Sequence, residues 1–172
     1  KTVTATFTQD THSLTINTVG SGSVAKAPDQ TNYAHGTVVT LTATPATGWT
    51  FSGWSGALTG STNPTTITMD AAKTVTATFT QITYALTINT VGSGSVAKAP
   101  DQTNYAHGTV VTLTATPATG WTFTGWSGAL SGSTNPTTIT MDAAKTVTAT
   151  FTQNTYALTI NTVGSGSVAK AP

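Results

Sequence analysis

The chain has 172 residues, and its whole charged complement is six Lys and five Asp, with no Arg, Glu or Cys. A net charge of +1 cannot build the basic stripe that phosphate recognition needs, which argues against nucleic acid as a partner. The missing Cys exclude disulfides and thiolate metal centres, and no apolar run approaches the ~18 residues of a membrane-spanning helix.

The first eight residues, Lys1-Thr-Val-Thr-Ala-Thr-Phe-Thr8, alternate apolar side chains with Thr and predict a strand. The opening carries no signal-peptide character. The same octet recurs at Lys73 and Lys145, a period of 72 residues. Leu14, Leu86 and Leu158 likewise each begin Leu-Thr-Ile-Asn-Thr-Val-Gly-Ser-Gly-Ser-Val-Ala-Lys-Ala-Pro. Residues 11–82 and 83–154 differ only at His12/Tyr84, Ser13/Ala85, Ser52/Thr124, Thr59/Ser131 and Ile82/Asn154, so 67 of 72 positions agree. The expected organisation is a final strand of a preceding repeat (1–10), two complete repeats (11–82 and 83–154) and the first hairpin of a following one (155–172). Such a chain reads as an excerpt from a longer array. Recent duplication and equivalent positions in a regular fibre both account for the identity.

Within the second repeat the spacing predicts about six strands. Leu86–Val91 and Val96–Ala99 are expected as a hairpin across Gly92-Ser93-Gly94-Ser95. The connection Pro100–Gly108 has room for at most one helical turn. Val110–Thr116 forms a third strand ending at Pro117, and Trp121 starts a fourth, which Gly125 bends or bulges to re-aim Trp126. A Gly/Ser/Asn/Pro loop covers 127–136. Thr138–Met141 and Lys145–Thr152 are expected as a second hairpin across Asp142-Ala143-Ala144. Thr supplies 45 of the 172 residues and is expected on the wet faces of these strands, Thr76 and Thr78 among them. The expected core is Leu86, Ile88, Val91, Val96, Val111, Leu113, Phe123, Trp126, Ile139, Met141, Val147 and Phe151, with Trp54 buried like Trp126. The stretch Thr80-Gln81-Ile82-Thr83 lacks Gly and Pro, so successive repeats should be joined stiffly.

Candidate chemistry is sparse. Each repeat has one recurrent His (His35, His107), with Asp29 or Asp101 nearby in sequence, but no constellation of nucleophile, base and orienting group. Paired carboxylates for glycoside hydrolysis are absent, and Asp70 and Asp142 read as turn residues rather than Ca²⁺ ligands. Lys26 and Lys98 read as edge-protecting lysines. No catalytic residue, cofactor or metal site is therefore expected. Trp49, Trp121, Tyr33 and Tyr105 follow turn-like segments, where exposed rings could stack on sugars. Exposed Thr could carry O-linked sugar, whereas Asn63-Pro64-Thr65 and Asn135-Pro136-Thr137 are no N-glycosylation sequons.

The ordered string Leu-Thr-Ile-Asn…Gly-Ser-Gly-Ser-Val, Tyr-Ala-His-Gly-Thr-Val-Val-Thr-Leu-Thr-Ala-Thr-Pro, Gly-Trp-Thr-Phe-Ser-Gly-Trp-Ser-Gly and Lys-Thr-Val-Thr-Ala-Thr-Phe resembles the divergent internalin B-type repeat. The resemblance covers the whole 72-residue period. It implies a small β-rich module, β-grasp-related in better-known members, found in tandem in bacterial and some archaeal surface and secreted proteins. The family brings no catalytic residues. Pro100–Gly108 is too short and polar for the long helix of a full β-grasp, so the expected fold is all-β or nearly so. It would be a tandem array of small antiparallel modules, β-grasp-like or small sandwiches. The expected role is an extracellular, cell-surface or secreted stalk or fibre whose partners are copies of itself, through strand-edge or end-to-end contacts. Val3, Ala5 and Phe7, or Leu158 and Ile160, would meet the neighbouring copy. An adhesin binding surface polysaccharide through Trp49 and Tyr33 is the alternative.

Overall fold

The computed structural model describes residues 1–169. Among them there is no helix, and the strands follow the repeat. In the first repeat they are β1 (Thr11–Val19), β2 (Gly22–Ala27), β3 (Asn32–Ala34), β4 (Thr37–Pro45), β5 (Trp49–Gly56), β6 (Thr65–Met69) and β7 (Lys73–Gln81). The second has β8 (Thr83–Val91), β9 (Gly94–Ala99), β10 (Asn104–Ala106), β11 (Thr109–Pro117), β12 (Trp121–Gly128), β13 (Thr137–Met141) and β14 (Lys145–Gln153). One residue, Ile82, separates β7 from β8. The chain divides into two compact units.

In each repeat, odd and even strands go to different sheets. The first repeat has a four-stranded sheet in the order β3-β1-β7-β5 and a three-stranded sheet in the order β2-β4-β6. The second repeats both, as β10-β8-β14-β12 and β13-β11-β9. Every connection inside a repeat therefore carries the chain from one sheet to the other. Neither expected hairpin forms: β8 and β9 lie in different sheets, and so do β13 and β14. The Gly-Ser-Gly stretch is a corner, not a hairpin turn. Gly20 takes φ +82° there, and the backbone passes so close to Phe79 that a Cβ on Gly22 would sit 2.5 Å from its ring.

The first and last strands of a repeat pair in parallel, from Leu14 opposite Lys73 to Val19 opposite Thr78. The larger sheet is thus mixed, which corrects the expectation of purely antiparallel modules. A parallel pair needs a long crossover, and the five strands between β1 and β7 provide it.

One core is filled from both sheets. Leu14, Tyr33, Trp54, Val75, Ala77 and Phe79 come from the larger, and Val39, Leu41, Ala43, Ile67 and Met69 from the smaller. Each repeat is a small β-sandwich. The period-2 pattern places these residues inward wherever the parity is unbroken. Parity also corrects one expected core residue: Val91 lies five positions after buried Leu86, faces the other side and is 55% exposed, while Tyr105, Ala115 and Ala149 join the core. Thr76 and Thr78 do face away from the core, but β7 is a central strand and its neighbours half-bury them. In β5 the pairing with β7 skips a residue between Phe51 and Gly53. That bulge turns Phe51 and Trp54 to the same side although they are three apart, with ring centroids 4.9 Å from each other.

Residues 1–10 contain no strand, although Lys1–Thr8 is identical in sequence to the start of β7. Val3 and Phe7 are 92% and 91% exposed, where their counterparts Val75 and Phe79 are 0% and 3% exposed. The sequence is the same; what differs is that β7 lies between β1 and β5. Residues 155–169 likewise carry no strand, so the hairpin expected over 155–172 is not formed in its described part. Its last three residues, 170–172, lie outside the described residues.

Candidate functional site

Tyr33 and Tyr105 are wholly buried, which removes them as sugar-stacking rings. The cause is register. Tyr33 pairs with His12 across β1 and β3, so its ring points to the core side. Its hydroxyl donates to the Pro28 carbonyl at 3.1 Å and accepts from the Gln30 amide at 3.2 Å, tying down the connection between β2 and β3. Trp49 and Trp121 are half-buried, and Trp49 lies over the Gly20 corner. Trp54 and Trp126 are in the core at 5% exposure, and each indole N–H donates 2.9 Å to the carbonyl of Thr62 or Thr134.

Next to Thr62 the loop supplies a side chain in place of a strand. β4 pairs with β6 as far as Leu41 opposite Thr65. Two residues further, Asn63 takes over: its Oδ1 accepts from the Ala43 amide at 2.9 Å and its Nδ2 donates to the Ala43 carbonyl at 2.7 Å. The carboxamide mimics the peptide group that would have continued the ladder. Asn135 does the same for Ala115. Asn63→Ala leaves one backbone donor and one acceptor without this partner in a part-buried position. It should lower stability by about 1–3 kcal/mol, measurable by urea denaturation, and Asn135→Ala should match it.

Lys26 and Lys73 are spent on local pairs. Lys26 on edge strand β2 reaches Asp29 at 3.0 Å and the Gln30 carbonyl at 3.1 Å, with its ammonium 5.9 Å from the Tyr33 ring centre. Asp29 is thus engaged by Lys26 rather than by His35, and its ammonium partner is raised above the usual lysine range mainly by that hydrogen bond. Lys73 meets Asp70 at 2.8 Å and the Thr68 carbonyl at 2.7 Å, and the hydrogen bond from Lys73 holds the Asp70 carboxyl below its ordinary range. Asp70 therefore favours the fold above the unfolded carboxylate range, and that contribution is lost as pH falls through its folded pKa. Both pairs are solvent-facing and small in effect. The described residues enclose no pocket.

One grouping was not legible in the sequence. Asp10, His12 and His35 bring one ligand atom each to within 4.8 Å of one another. Asp10 and His12 are two residues apart on the same side of the chain, and the His35 amide donates to the Asp10 carbonyl at 3.0 Å, which sets His35 opposite Asp10. His12 Nε2 lies 3.2 Å from His35 Nδ1 and 3.6 Å from Asp10 Oδ2. One period on, Ile82 and Tyr84 stand at the positions of Asp10 and His12. There the Tyr84 ring packs against His107, centroids 5.9 Å apart, and His107 Nδ1 is buried without a hydrogen-bond partner. The signal in the sequence was that positions 10 and 12 are Asp and His where positions 82 and 84, one period on, are Ile and Tyr.

A family model described as the divergent InlB B-repeat domain matches residues 12–83 and 84–155. No curated protein and no solved structure matches the chain. The two matched segments are the two sandwiches, with borders one residue later than 11–82 and 83–154. The chain belongs to the divergent InlB B-repeat family, whose repeats are structural modules that occur in surface proteins.

Proposed function

We propose that this tandem pair of InlB B-type repeats is a structural segment of an extracellular stalk or fibre, in which copies join end to end by strand pairing. The observation that carries the reading is the recurrence of the Lys1–Thr8 octet as β7 and β14, where it is a buried strand. In a complete repeat that sequence lies parallel to the β1 sequence, with Val75 opposite Ile16. The β1 sequence recurs from Leu158, where Ile160 is 37% exposed and Val163 fully so. The same register between two copies would set Val3 of one opposite Ile160 of the next. An unpaired strand sequence is a template for such addition, and a head-to-tail contact extends into a filament unless its rotation closes a ring.

The chemistry of the chain agrees with a structural role. With 6% charged residues there is little long-range repulsion between copies. Asp29 and Asp70 are tied into local pairs with Lys26 and Lys73. Surface polysaccharide as a partner would rest on half-buried Trp49 and Trp121 alone, since Tyr33 is in the core. Sedimentation velocity over a range of concentrations tests the proposal. The expected result is concentration-dependent species larger than the monomer, and Phe7→Asp or Ile160→Asp should each shift the association to at least about tenfold higher concentration. Monomers at every concentration, or variants that associate like the parent, would contradict it.

A further inference from the structure

We propose that Asp10, His12 and His35 form a binding site for one divalent transition-metal ion, a site that exists in the first repeat and not in the second. Three observations lead to it. The donor set is two imidazoles and one carboxylate, which suits Zn²⁺ and its neighbours and not Ca²⁺ or Mg²⁺. The spacing is nearly that of a bound ion: two nitrogens held about 2.0–2.1 Å from a tetrahedral Zn²⁺ stand about 3.3 Å apart, and His12 Nε2 and His35 Nδ1 are 3.2 Å apart. The frame is the β1–β3 pairing, extended by the His35 amide bond to the Asp10 carbonyl.

Little movement completes the set. The Asp10 carboxylate, 3.6 Å from His12 Nε2, has a side chain 72% exposed and swings freely toward a shared centre. The hydrogen bond between the two rings uses one N–H. For both facing nitrogens to offer lone pairs to a metal, the donating neutral ring moves its proton to its other nitrogen, with no net change in charge. Three protein ligands leave a fourth tetrahedral position for water. The ion would fasten the residues just before β1 to the turn after β3.

Natural variation within the chain supplies the controls. Position 82 is Ile where position 10 is Asp, and position 84 is Tyr where position 12 is His, while His107 keeps the place of His35. The test is calorimetric titration of the full chain with Zn²⁺ alone, at concentrations below self-association, with circular dichroism confirming that each variant is folded. One ion per chain is expected. His12→Tyr and His35→Ala should each weaken binding at least about tenfold, since even outer-shell partners of a metal site are worth that much. His107→Ala should bind as the parent does. The double variant I82D/Y84H should raise the stoichiometry to two. Absence of saturable Zn²⁺ binding, or binding that survives intact in His12→Tyr and His35→Ala, would overturn the proposal.

Discussion

Phe79→Ala should cost about 3–5 kcal/mol, the range for truncating a buried aromatic, while Phe7→Ala should change stability by less than about 0.5 kcal/mol, as exposed substitutions do. Both residues occupy the same place in an identical octet, Lys-Thr-Val-Thr-Ala-Thr-Phe-Thr. Phe79 is 3% exposed, has its ring 5.8 Å from that of Phe51 and lies against the Gly20–Gly22 corner. Phe7 is 91% exposed. No difference in local propensity separates them, so the whole difference comes from packing. Urea denaturation of the two variants in dilute solution measures it, and Phe151→Ala should repeat the larger loss in the second repeat.

The second large effect belongs to the corner between β1 and β2. Gly20 and Gly36 share a φ of +82°, which costs any other L-residue about 1–2 kcal/mol. Their surroundings differ. A Cβ at Gly36 meets nothing within 4 Å, whereas one at Gly20 would run into the Phe79 carbonyl oxygen and lie 2.7 Å from the Trp49 ring. Overpacking of this kind adds about 1–3 kcal/mol. Gly20→Ala should therefore destabilise by about 2–5 kcal/mol and Gly36→Ala by about 1–2 kcal/mol. Equal losses at the two sites would mean that the corner is looser than the structure has it.

Strand positions and most of the core were readable from period-2 alternation, because Val, Leu and Phe alternate with Thr through β4, β7 and their twins. Strand partners were not. A short Gly-Ser-Gly link is compatible with a hairpin turn and with a step between two sheets, and only the packing of Phe79 under Gly22 decides for the step. The parallel pairing of β1 with β7 joins residues some sixty positions apart, as with Leu14 and Lys73, which no local pattern encodes. The burial of Tyr33 escapes local pattern for a similar reason: its segment looks like a loop, yet the three-residue strand β3 pairs it with His12 and turns its ring inward. Asn63 could not be read as a ladder residue, since its role depends on where β6 stops short of β4. The Asp10–His12–His35 grouping needed the same β1–β3 pairing to become visible.

If copies join end to end as proposed, the Lys1–Thr8 sequence becomes a strand when a second copy supplies its parallel partner. Residue-resolved amide hydrogen exchange at low and high protein concentration tests it most directly. The amides of β7 and β14 should be protected at every concentration. Those of residues 2–8 should exchange freely in dilute solution and gain protection as concentration rises. Free exchange of residues 2–8 at all concentrations would contradict end-to-end pairing.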